Sequence, residues 1–143
     1  MAGSSIFLPF EIDGVSYAVP LESVAYIISS SDSFPCCVPP KRNPAVSYVM
    51  RVDQDLMAVV ELTALEGHNA TRRTIQSQRP LILALNCQGS LIGLLADRIL
   101  PPLELSDPKI ETDSLSRQTF LINNGKHFVL FDVLTFYNTL QHI

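Results

Sequence analysis

The stretch that decides the fold runs Ile6-Phe7-Leu8-Pro9-Phe10-Glu11-Ile12, Asp13-Gly14, Val15-Ser16-Tyr17-Ala18-Val19. Two apolar runs meet at an Asp-Gly pair, and Asp and Gly tolerate the positive φ angles of a tight primed turn, so the stretch spells a β-hairpin. Pro20 then opens one helical turn over 20–23, because its fixed φ and missing N–H suit a first helical position. Residues 24–28 return to strand.

The same grammar recurs down the chain. Residues 46–51 and 56–61 form a hairpin around Val52-Asp53-Gln54-Asp55. Residues 81–87 and 90–95 pair across Gln88-Gly89, and 120–123 and 127–131 across Asn124-Gly125. The proline- and serine-rich stretch 29–44 reads as loop or edge, 62–65 as a helical turn, and 66–78 as a polar loop. Pro108 interrupts 103–110 and leaves it edge strand at best. Asp132 caps one helix over about 133–142, where Val133, Leu134, Phe136, Tyr137 and Leu140 recur at helical spacing. The fold class predicted is all-β, a barrel or sandwich with a short C-terminal helix.

An internal repeat refines this. Shifted by 75 positions, the first hairpin falls on the third: Gly14 meets Gly89, Val19 meets Leu94, Glu22 meets Asp97 and Val24 meets Ile99. Shifted by 71, the second falls on the last: Met57 meets Phe128, Val59 meets Leu130 and Glu61 meets Asp132. Each alignment keeps an acidic residue after a strand, where it reads as the N-cap of a helical turn. The expected organisation is a single domain over 1–143 made of two similar β-halves. The first comes mainly from 6–28 and 46–65, the second from 80–140, with 120–140 as closing hairpin and helix. Two copies are too few for a solenoid but suit two small barrels side by side.

Composition narrows the function. Of 143 residues, 47% are hydrophobic and 17% charged, with mean hydropathy +0.23, which excludes a disordered chain. The net charge is -4, and the short basic cluster Arg72, Arg73, Arg79 is assigned to the polar loop, so nucleic acid is not an expected partner. No apolar run reaches the about 20 residues of a membrane span, so no direct membrane insertion is expected. Residues 1–10 lack the build of a signal peptide, and three cysteines, two adjacent, make no disulfide framework. A cytoplasmic protein is the expectation, and Asn69-Ala70-Thr71 is then a chance sequon.

Catalytic constellations are missing. His68, His127 and His142 are scattered, Cys36-Cys37 is not C-x-x-C, and no phosphate loop or nucleophile elbow occurs. Gly93, inside a predicted strand, marks close packing of backbone. Glu22 and Asp97 read as repeat-related caps rather than as an acid–base pair. No catalytic residue, metal or cofactor is expected.

The order of these features resembles the CheW-like domain family. Residues 10–24, Phe-Glu-Ile-Asp-Gly-Val-Ser-Tyr-Ala-Val-Pro-Leu-Glu-Ser-Val, resemble its opening hairpin. Ile92-Gly93-Leu94-Leu95-Ala96-Asp97-Arg98-Ile99 resembles its "vGllvDrV" segment, Val59-Val60-Glu61-Leu62 its "PVxDL", and Val129-Leu130-Phe131-Asp132 its closing "hxxlD". The likeness covers 7–140 in order. It departs at the second hairpin, where the family's Arg-Gly appears as Arg51-Val52, the hairpin is longer before Glu61, and Ala58 replaces a proline.

The resemblance implies two five-stranded, SH3-like β-barrels joined by a hydrophobic seam. It also implies a non-catalytic adaptor, coupling methyl-accepting chemoreceptors to the regulatory domain of a CheA-type histidine autokinase in bacterial chemotaxis. By the same motif match, Arg51 is the leading partner-binding residue, with Val24 and Ile27 as groove-lining positions. Two other readings stay open: a CheW-like adaptor of another kinase pathway, for motility or gene regulation, and a small ligand-binding β-barrel or noncatalytic enzyme subunit.

Overall fold

The computed structural model describes residues 4–32, 35–37, 46–62 and 79–141. All four hairpins form. They are β1 (Ser5–Ile12) with β2 (Val15–Pro20), β5 (Val46–Val52) with β6 (Asp55–Val60), β7 (Leu81–Cys87) with β8 (Ser90–Ala96), and β12 (Thr119–Asn123) with β13 (Lys126–Leu130). Between them lie β3 (Val24–Ser29), β4 (Pro35–Cys37), β9 (Arg98–Ile99), β10 (Leu103–Leu105) and β11 (Lys109–Thr112), and α1 (Val133–Gln141) closes the described chain.

The first, third and last hairpins close on the expected dipeptides. Asp13-Gly14, Gln88-Gly89 and Asn124-Gly125 all have φ between 51 and 84°, the left-handed pair that a type I′ turn requires. The second hairpin is tighter than its sequence suggested. Val52 pairs with Asp55, so only Asp53 and Gln54 form the loop, with Asp53 at φ 55°. The 103–110 segment splits into β10 and β11 around Pro108, which has no N–H to give a ladder. Pro-rich 29–44 contributes β4 on a sheet edge. The helical turn expected at 62–65 and the loop at 66–78 lie outside the described residues, apart from Leu62.

The strands form two sheets. One has seven strands in the order β10-β1-β2-β13-β12-β11, with β9 also on β1; the other has six, β3-β7-β8-β6-β5-β4. Each sheet therefore draws on both expected halves: the first hairpin joins the last, and the third joins the second. The repeat survives this exchange. Ala58 and Val59 lie parallel to Ile92 and Gly93, and Val129 and Leu130 lie in the same register against Tyr17 and Ala18. Likewise Val24 pairs with Leu85 as Ile99 pairs with Phe10.

The reason for the exchange is visible in burial. Hairpins one and three are apolar on both faces, so each needs cover on both sides, as parallel-paired strands commonly do. Leu8, Phe10, Ile12 and Val19 face Leu83, Leu85, Ile92 and Leu94 across a central seam. Their opposite faces line two separate cores. One gathers Met50, Met57, Val59, Ile82 and Ala84; the other gathers Phe7, Ala18, Leu121 and Phe128. This is the arrangement of two β-barrel-like halves with a shared apolar seam. α1 seals the seam with Val133 and Phe136, and the Phe131 ring meets that of Phe10 edge-on and that of Phe136 at a tilt. Gly93 is indeed a close approach: a Cβ there would sit 2.9 Å from Met57 Cε and 3.0 Å from Ile82 Cγ2.

Candidate functional site

Two polar clusters stand out, one buried and one exposed. The buried one centres on Arg79, at the entry to β7, whose side chain is 1% exposed. Its Nε donates to both oxygens of Glu61 at 2.9 and 2.8 Å, and Nη1 to both oxygens of Asp97 at 2.8 Å. Nη2 donates to Asp13 Oδ2 at 3.1 Å, and the Asp13 amide donates to Asp97 Oδ2 at 2.7 Å. Burial pulls the guanidinium toward its neutral form, but the bonds to Glu61, Asp13 and Asp97 outweigh it and hold the charge more firmly than usual.

This corrects two readings. Arg79 is the buried centre of an ion-pair cluster rather than a solvated loop cation, and Asp97 is followed by strand β9 rather than by a helical turn; the turn that Glu61 would cap lies outside the described residues. A guanidinium presents donors in a planar fork, so one arginine can clasp three strand ends that belong to both sheets. The repeat hid this. The counterparts of Asp13, Glu61 and Asp97 are Gln88, Asp132 and Glu22, and of these only Asp132 caps: Oδ1 accepts from the Leu134 and Thr135 amides at 3.1 and 3.2 Å. The turn holding Glu22 has no side-chain cap.

The exposed cluster lies at the tip of hairpin β5–β6. Arg51 is exposed, and its Nε donates to the Asp53 carbonyl at 2.8 Å. Tyr26 on β3 donates its phenol to Asp53 Oδ2 at 3.1 Å. Leu56, the cross-strand partner of Arg51, is 66% exposed, and Ile27 is 50% exposed. Val24 differs from both: it is half-buried and packs against the seam. The Asp53 turn thus brings Arg51 beside β3, and Tyr26 makes the bridge. Neither Tyr26 nor Leu56 was singled out from sequence. The available signal was that Val-Ala-Tyr-Ile-Ile-Ser carries no charge, whereas edge strands are usually guarded by charge or proline.

An open groove of about 940 Å³ runs beside α1, lined among others by Tyr17, Gln88, Arg117 and Phe136. Asp132 on its wall is committed to capping α1. Among the described residues, no group of three His, Cys, Asp or Glu is placed to hold a metal, and no helix is long and apolar enough to cross a membrane. Cys87 is a buried free thiol.

The fold is thus two β-barrel-like halves around an apolar seam, with Arg51, Leu56, Tyr26 and Ile27 exposed. The model of the CheW-like domain matches residues 7–138, and the chain belongs to that family of chemotaxis adaptors and scaffolds. A solved structure of similar fold is the scaffolding protein TtCheW from Thermoanaerobacter tengcongensis. It is 12% identical and superposes with TM-score 0.73 over 93% of this chain and 90% of that one. No curated protein matches the sequence.

Proposed function

We propose that this chain is a non-catalytic adaptor that couples chemoreceptors to a CheA-type histidine autokinase, acting in the cytoplasm as one unit over 1–143. The observation that supports this reading best is the exposed Arg51 with its cross-strand neighbour Leu56 and the Tyr26 bridge to Asp53, on a chain that matches the CheW-like domain. Arg51 uses Nε within its own turn, which turns its terminal nitrogens toward a partner carboxylate. The aliphatic and aromatic neighbours supply apolar area around that charge. Val24 supports the surface from below by fixing β3 to the seam.

The test is a titration of Arg51→Ala against the kinase regulatory domain and the receptor signalling tip from the same organism. An interface-anchoring arginine costs about 2 kcal/mol or more of binding when truncated, whereas loss of an exposed charge changes stability by less than about 0.5 kcal/mol. Weakened binding with unchanged melting is the expected result. Full affinity for both partners would remove Arg51 from the docking surface. A second reading, an adaptor for a different kinase pathway, is favoured by one feature: the family's Arg-Gly appears here as Arg51-Val52. Co-purification with a kinase that has no chemoreceptor partner would select it.

A further inference from the structure

Asp53 is held at both ends. Its backbone lies in the left-handed region at φ 55°, tolerated by Asp but not favoured. Its carboxylate accepts from Tyr26 at 3.1 Å, and its carbonyl accepts from Arg51 Nε at 2.8 Å. Tyr26 reaches it from another strand, β3, which does not pair with β5 or β6. The register of β3 against β7 slips between Val24 and Tyr26, leaving Ala25 as an extra residue. Such a bulge re-aims the side chain that follows it, and here that side chain is the one that spans to Asp53.

We infer that Tyr26 is a positioning residue for Arg51: its phenol pins the Asp53 turn, and the pinned carbonyl sets the direction of the guanidinium. An arginine on a flexible stem loses rotamer freedom when it binds, so ordering it beforehand lowers the cost of docking. The carboxylates of Asp53 and Asp55 keep the phenol protonated beyond the usual tyrosine range, so the donor is present at neutral pH. The use of this arrangement in docking rests on the reading of Arg51 given above. The positioning itself is a property of the free protein and can be measured without a partner.

The experiment compares wild type, Tyr26→Phe, Arg51→Ala and the double variant. The first readout is the Arg51 Nε–H resonance in nitrogen-labelled protein. In wild type it is expected to be protected from solvent exchange, and in Tyr26→Phe to exchange several times faster, with at most a small fall in melting. A merely structural role for Tyr26 would lower melting without moving that signal. The second readout is titration against the kinase regulatory domain: Tyr26→Phe should weaken binding by about three- to tenfold, the range for losing one hydrogen bond. It should add nothing in the Arg51→Ala background. An Arg51 resonance that is unaltered in Tyr26→Phe overturns the inference, as does an affinity loss equally large with and without Arg51. If Arg51→Ala itself binds normally, the docking reading fails, while the resonance still decides the positioning.

Discussion

Replacing Arg79 by alanine should be the most damaging single change near a charged group in this protein. The loss would leave Glu61, with a side chain only 6% exposed, without the Arg79 charge, and would remove the same charge from Asp13 and Asp97, which are 23% and 32% exposed. Water reaches the two aspartates, so their links to Arg79 are screened and each contributes about 0–1 kcal/mol. The weight therefore falls on Glu61. Removing one partner of a buried ion pair costs about 3–5 kcal/mol, because the remaining charge stays desolvated. Against a total stability of about 5–15 kcal/mol, that is a large fraction. A melting decrease on the order of 10–15 °C follows for a domain of this size. Arg79→Lys should fall between the two proteins, since a point charge cannot fork to three carboxylates. The assay is urea denaturation at neutral pH, with the double variant Arg79→Met, Glu61→Leu as control. If stranded charge is the cause, the double variant should regain most of the stability lost in Arg79→Ala. A loss under about 1 kcal/mol for Arg79→Ala would refute the reasoning, as would a double variant weaker than either single change.

Three further outcomes are expected. Asp132→Ala should destabilise the protein by about 1 kcal/mol through loss of the α1 cap, with Asp132→Asn retaining most of it; thermal melting reads both. Gly93→Ala should cost about 1–3 kcal/mol, because the new methyl meets Met57 and Ile82 in a filled core, and the double change Gly93→Ala, Met57→Leu should recover part of the loss. In an alkaline ultraviolet titration, Tyr26 should ionise above the ordinary tyrosine range and Asp53→Ala should lower it, because the Asp53 hydrogen bond and charge favour the protonated phenol. Its folded pKa is raised, so the stability it contributes is complete below pH of about 10 and is lost as pH rises through the higher value.

The sequence by itself determined the hairpins, the repeat and the C-terminal helix, because all three rest on local rules. Asp13-Gly14, Gln88-Gly89 and Asn124-Gly125 announce their turns by backbone preference alone, and Asp132 its helix by capping chemistry. The strands around Phe10 and Leu83 bury residues on both faces. What covers each face was settled by the tertiary structure, since the parallel pairing of β2 with β13 and of β8 with β6 joins segments that no turn connects. The same holds for the charged groups. A repeat alignment made Asp97 look like the cap Asp132, yet an arginine arriving at position 79 draws Asp97 into an ion-pair cluster with Glu61 and Asp13. Arg51 drew attention through its motif match. The hand-off through Asp53 to Tyr26 was not legible, because it depends on a bulge in β3 and on two strands that meet in space without pairing.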